Sequence, residues 1–555
     1  MSDWNVRRVT TMRNVFASAS VFNGDISGWD TSKCFSFESM FLEATSFNGD
    51  ISGWDTGSAT STQKMFLNAD SFTADISGWN MSHLEEAKEM FSNADSFTAD
   101  ISGWNVGRVS SMQWVFKQTA SFNSDLNDWN MSRIDALDDM FNGAASFNGD
   151  ISGWKVGRTT SMKWVFIDAT NFNNNISAWD LGRVVSMRSM FNRASSFNTD
   201  ISSWDTSGVL EMDMLFAGAT SFNGDISGWD TGFVFSANEM FKHAASFNTD
   251  LSRWDVSRVT SMNEMFSFAL VFNGIISLWN ITNVVGMEAI FNGSPFNTDI
   301  SSWDTSGTTA MDVVFRSAKF FNHGLSEWNI GEATSLREMF KEARSFNRDI
   351  SSWDVSRVTS MREMFSFAIV FNGDISGWNS SHVLGMEAMF FGATGFNGDV
   401  SKWDTHRVTS TDWMFMNALT FNIDISGWNV DRINSTDIMF AGSLNFRQCL
   451  TWCFGPGVVT ETMFDLGITG IANNSCVIKS KEIIALTEDS KQGCIFPAEL
   501  PAAAPWWRVY AFLLITVAVA VLLGTYIAAK YRSLRGQNQV DLDFPPNELE
   551  TDSML

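Results

Sequence analysis

The chain has little of what chemistry at a single site requires. Its five histidines, His83, His243, His323, His382 and His406, are scattered over 555 residues. They fall in different slots of a repeating pattern, so no Ser/His/Asp constellation can be assembled from their spacing. Neither a G-x-x-x-x-G-K nor an H-E-x-x-H stretch occurs, and an enzyme is not expected. Basic charge is also short: 37 Lys and Arg stand against 62 Asp and Glu, a formal net charge of −25. Nucleic-acid binding needs a basic footprint and is not expected either. Before residue 449 the only cysteine is Cys34, in a slot that is Val in Val9, Val109 and Val358, so a buried thiol is expected there. The opening Met1-Ser2-Asp3-Trp4 has no apolar leader and is already in phase with the repeat. The natural chain is therefore expected to begin further upstream, with a signal peptide and an N-terminal cap.

What the chain does have is tryptophan at a fixed period. Trp4, Trp29, Trp54, Trp79 and Trp104 open a 25-residue spacing that runs on through Trp254 and Trp279 to Trp378, Trp403 and Trp428. Units of this length cannot bury an apolar face alone and are stabilised by stacking on their neighbours. The register slips once, to 24 residues between Trp279 and Trp303, where Phe291-Asn292-Gly293-Ser294-Pro295-Phe296 is one residue short. A deletion beside a proline is absorbed most easily in a loop.

Within one unit, Val358, Met361, Met364, Phe365 and Ala368 recur at a spacing that fits one face of a helix. Asp354 or Ser356 supplies a helix start, and Asp30, Asp55, Asn80, Asn105 and Asp205, each directly after a tryptophan, read as caps or turn formers. Asp349-Ile350-Ser351 would be one rung of a parallel ladder. The fold expected is thus an α/β, right-handed, leucine-rich-repeat-like solenoid of about eighteen strand-turn-helix coils, with one C-terminal transmembrane helix. Recurring Phe-Asn pairs such as Phe147-Asn148 and Phe222-Asn223 read as a core ring beside a stacked amide that bonds the neighbouring coil. Trp254–Met262 returns unchanged as Trp353–Met361, which points to duplication of a four-unit block.

The unit Phe346–Ala368 resembles, nearly residue for residue, the BspA-like leucine-rich-repeat surface proteins, and similar units continue to about Phe446. That resemblance implies a leucine-rich-repeat-like solenoid on a cell surface, adhesion or binding as the activity, and no catalytic residues to carry over.

The expected organisation is a solenoid over 1–446, a cysteine-containing cap over 447–500, a linker over 501–508, a membrane span over 509–529 and a disordered acidic tail over 530–555. The apolar, uncharged run Val509–Ala529 is long enough to cross a bilayer. Lys530, Arg532 and Arg535 place its far side in the cytoplasm. The expected location is the plasma membrane, single-pass, with the repeats outside. Cys449, Cys453, Cys476 and Cys494 read as two disulfides in an oxidising compartment, in any of three pairings. Asn80, Asn130, Asn175, Asn280, Asn292, Asn379, Asn434 and Asn473 open N-x-S/T sequons.

For ligands, in-register tryptophans read as core. Trp114, Trp164 and Trp413 sit out of register where other units carry residues such as Lys64, Glu89 and Glu264, and are candidate ligand contacts. Asp25, Asp50, Asp75, Asp100, Asp125 and Asp150 form a row interrupted further on by Asn175, Ile275 and Gly324. The row either accepts loop hydrogen bonds or binds Ca²⁺, the one cofactor considered. Expected partners are an extracellular protein or polysaccharide, with Ser553-Met554-Leu555 as a C-terminal ligand for a cytoplasmic PDZ groove. The alternative function is a structural surface spacer without a specific ligand.

Overall fold

The computed structural model describes residues 4–448, 450, 452, 454, 458 and 462–464, all of them in one compact unit. The 25-residue units are coils stacked in register, but they are not strand-turn-helix coils. Among the described residues there is no helix, and regular sheet is reduced to single parallel bridges such as Ser161↔Ser186 and Ser186↔Glu211. The α/β expectation is therefore wrong, and the coil from Trp204 to Trp229 shows why.

In that coil Val209, Met212, Leu215, Phe216 and Ala219 are all buried, as a helical face would require. Their spacing has another source. Successive β-turns, closed by Val209 N–H to Thr206 O (2.9 Å), Leu215 N–H to Met212 O (3.2 Å) and Ala219 N–H to Phe216 O (3.0 Å), return every third or fourth residue to the interior. The alternate N–H groups leave the coil. Met212 donates to Ser236 O, Met214 to Asn238 O, Phe216 to Met240 O and Gly218 to Lys242 O, at 2.7 to 3.0 Å. An α-helix would direct all of these to its own carbonyls. Met214 and Gly218 also have φ of 54° and 69°, left-handed backbone that no helix tolerates. The same two slots are left-handed in coil after coil, and the second is glycine at Gly143, Gly218, Gly293, Gly392 and Gly442.

The interior is three columns of rings. Trp54 lies 6.4 Å from Trp79, Phe66 5.6 Å from Phe91 and Phe72 6.0 Å from Phe97. Phe66 and Phe72 also stack within one coil at 3.9 Å. Each in-register indole from Trp54 onward is buried, and its N–H donates to an isoleucine, leucine or valine carbonyl one coil back, as from Trp54 to Ile26 at 3.2 Å and Trp204 to Ile176 at 3.1 Å. Tryptophan suits this slot because it fills the core and its buried N–H finds an acceptor in the neighbouring coil, at a carbonyl that a backbone N–H also reaches.

The Phe-Asn reading is correct in kind. Asn148 Oδ1 accepts the backbone N–H of Asn173 at 2.9 Å, and Asn198 Oδ1 that of Asn223 at 2.8 Å. Of the two roles expected for the aspartates and asparagines after the tryptophans, the structure shows the turn former: Asp205 Oδ1 accepts Ser207 N–H at 3.0 Å. Cys34 is a buried free thiol, and burial pushes its pKa up.

Residues 509–529, expected to span a membrane, lie outside the described residues, as do the tail 530–555, Asn473 and all four C-terminal cysteines. Among the described residues no helix is long and apolar enough to cross a membrane.

Candidate binding surface

With the interior fixed by rings, what differs between coils lies outside. The sharpest local departure is at the short coil. The turn that elsewhere closes ahead of the second phenylalanine, as in Phe222 N–H to Ala219 O at 3.0 Å, is replaced by Phe296 N–H donating to Ser294 Oγ at 3.3 Å. The ring column is kept, with Phe296 6.1 Å from Phe272 and 6.3 Å from Phe321. The missing residue therefore opens the outer wall rather than the core, as expected of a loop deletion. An open groove of about 340 Å³ lies here, of mixed lining: Phe268, Leu270, Pro295 and Phe320 are its apolar part, and Ser294, Ser317, Lys319 and Glu342 its polar part. Phe320 is 61% exposed, Leu270 44% and Phe268 39%. Sequence reasoning located the deletion but not the groove. The signal was Phe320 beside the core Phe321, a second ring in an outward slot.

The candidate tryptophans occupy the first left-handed slot, with φ of 60° at Trp114, 60° at Trp164 and 58° at Trp413. They are not brought together. Trp114 is half-buried, donates to Asp139 Oδ2 at 2.8 Å and lies under Lys88 Nζ at 4.2 Å, so its polar edge and one face are engaged. Trp164 is half-buried, and Trp413 is 42% exposed.

The aspartate row is held by its own turns. Asp25 Oδ1 accepts both the hydroxyl and the backbone N–H of Ser27, at 2.7 and 3.0 Å, and Asp50 is bound likewise by Ser52. Asp75 and Asp100 accept from Ser77 and Ser102 at 2.9 Å, Asp150 from Ser152 at 2.9 Å, and Asp125 from the N–H of Asp150 at 2.8 Å. Among the described residues no three His, Cys, Asp or Glu side chains gather as a metal cluster.

These bonds hold Asp25, Asp50, Asp75 and Asp100 below the ordinary carboxylate value of 3.8, with a small opposing push from Asp25 on Asp50. A folded pKa below the unfolded one gives stability that is present above the unfolded value and lost as pH falls through the folded one. Asp95 and Glu288, raised by burial, act in the opposite sense. The melting temperature is expected to stay level from neutrality to about pH 5 and to fall below about pH 4. A melt unchanged down to pH 2 would show that the row contributes nothing.

Among the sequons, Asn80, Asn130, Asn175, Asn280, Asn379 and Asn434 are exposed, whereas Asn292 is buried.

Tandem turn-built coils around aromatic columns, with exposed faces that change from coil to coil, define a repeat solenoid. The chain belongs to the family described as "Mycoplasma protein of unknown function, DUF285", whose model matches residues 1–104, 76–179, 160–279, 268–368 and 334–452. No curated protein matches the chain. Among solved structures, that titled "Crystal structure of TLR13-ssRNA13 complex" is matched at 10% identity over 79% of this chain and 82% of that one. Its TM-score of 0.18 is too low to carry an argument about this chain.

Proposed function

We propose that the solenoid is a recognition surface, displayed outside the cell, for a protein or polysaccharide ligand. The observation that carries this reading is the cluster of exposed apolar side chains in the groove at the short coil. Phe268, Leu270 and Phe320 are exposed together on a chain whose buried columns already satisfy its packing, and a contiguous exposed apolar patch marks an interaction site more often than a structural need. A spacer without a ligand would be served as well by the polar residues found in the same slots of other coils, such as Thr45 and Thr220. The exposed sequons and the resemblance of the unit to BspA-like surface proteins support the extracellular placement.

The test is retention of arrayed glycans and extracellular-matrix proteins by the full chain, with Phe320→Ser beside it. The expected result is a ligand held at least about 10-fold less tightly by the variant, at an unchanged melting temperature, in keeping with an exposed anchor residue. Absence of any retained ligand, or equal retention by the variant, overturns the reading.

A further inference from the structure

The chain is strongly acidic, yet one exposed column is basic. Four residues after the tryptophan, at the corner of the turn closed by Val109 N–H to Val106 O, Ile134 N–H to Met131 O, Thr159 N–H to Val156 O and Val184 N–H to Leu181 O, stand Arg108, Arg133, Arg158 and Arg183. All four are exposed. Their coils are locked in register by Asp135 N–H to Ser110 O, Thr160 N–H to Asp135 O and Val185 N–H to Thr160 O, at 2.9 to 3.1 Å. Equivalent residues therefore repeat at about one strand spacing, ~4.8 Å.

A second observation is independent of the first. The residue directly after each in-register tryptophan, three positions from the arginine, varies between aspartate, as at Asp30, Asp55, Asp205, Asp230 and Asp255, and asparagine, as at Asn80, Asn280 and Asn379. Alongside this run it is Asn105, Asn130 and Lys155, with aspartate returning only at Asp180. Three of the four flanking positions beside the arginines therefore carry no negative charge, and one of them is itself basic. Arg108, Arg133 and Arg183 have no ion pair among the described residues, and only Arg158 is paired, with Asp135 at 2.9 Å through exposed atoms. Stacked cations without counter-charges repel one another, and a ligand carrying repeated negative charge relieves that repulsion.

We propose that the column Arg108–Arg133–Arg158–Arg183, with Lys155, binds a linear acidic polysaccharide laid along the stack through its carboxylate or sulfate groups. Guanidinium groups bind such oxygens in a planar, two-pronged geometry, and a row of them suits a flexible chain of repeated negative charge. A polynucleotide is the less fitting polyanion. Single strands are held through base stacking on aromatic side chains, and the residues next to the column, Gly107, Ser132, Gly157 and Gly182, offer none. This site is separate from the groove at the short coil and does not depend on that groove binding anything.

The test uses the full chain with polygalacturonate, neutral dextran of matched length and poly(thymidylate). Expected is binding to polygalacturonate that weakens about 10-fold or more between 50 and 200 mM salt, as counterion release requires, with none to dextran. The triple variant Arg108→Gln, Arg133→Gln, Arg183→Gln should lower that affinity at least about 10-fold. The triple variant Arg253→Gln, Arg344→Gln, Lys402→Gln removes the same charge from exposed sites off the column, and should change it less than about 2-fold. Asp135→Asn, which removes the one acid paired into the run, should strengthen binding. Equal losses in the two triple variants, poly(thymidylate) binding as tight as polygalacturonate, or no polygalacturonate binding would each overturn the proposal. If arrayed ligands are still retained through Phe320 in that last case, the recognition reading stands without it.

Discussion

Replacing Trp204 by alanine is expected to destabilise the stack locally by about 3–5 kcal/mol, and replacing Trp164 by much less. Trp204 is 4% exposed. Its ring stacks 6.2 Å from both Phe191 and Trp229, so truncation leaves a cavity between two coils that the backbone ladders on either side prevent from closing. Truncation also removes the indole N–H bond to the Ile176 carbonyl at 3.1 Å, a smaller loss because that carbonyl keeps the Trp179 N–H at 3.1 Å. Trp164 is half-buried in an outward slot, and its backbone bond to Arg188 O at 3.0 Å does not involve the side chain. Urea melts followed by far-ultraviolet circular dichroism separate the two cases. Comparable losses at both sites would overturn the distinction between in-register and out-of-register tryptophans.

The coil, its length and its buried column were legible because a ring that must be buried at one phase leaves a fixed period in the sequence. The stacked asparagines were legible for the same reason, since one amide per coil has to meet one N–H of the next. The helix was misread because a run of β-turns and a helix both bring Met212, Leu215, Phe216 and Ala219 to one side. The distinguishing signal was present. Glycine at Gly143, Gly218, Gly293, Gly392 and Gly442, and asparagine at Asn68, Asn93 and Asn417, share one slot, and all have positive φ. These are the residues that enter left-handed backbone most cheaply, and four residues earlier a second slot does the same under residues as unsuited to it as Val313 and Ile438. The groove was hidden for a different reason. It arises from a residue that is absent, and only the coil geometry shows that its removal opens the outer wall while the rings hold their stacking.

Gly149→Ala is expected to destabilise the chain by about 1–3 kcal/mol, the range for forcing an extra group into packed structure. Gly53→Ala should fall within about 0.5 kcal/mol of no change. A Cβ at Gly149 would stand 2.1 Å from the Ser124 carbonyl oxygen and 2.8 Å from its carbon, whereas nothing lies within 4 Å of one at Gly53. The clash is with backbone, so no rotamer change relieves it. The slot itself is not forbidding: in other coils Thr199 and Thr249 occupy it, and their hydroxyls reach preceding-coil carbonyls at 3.0 Å. What differs at Gly149 is the approach of the two chains. Leu126 N–H donates to Asp150 O at 2.9 Å and Asp150 N–H to Asp125 Oδ1 at 2.8 Å, drawing these coils together beside the glycine. Alanine must break or lengthen those two bonds to fit, which outweighs the ~0.4–1 kcal/mol gained by restricting the unfolded chain. Paired urea melts of the two variants decide it: equal midpoints would mean that the coils separate freely here, and that the close approach contributes nothing to the stack.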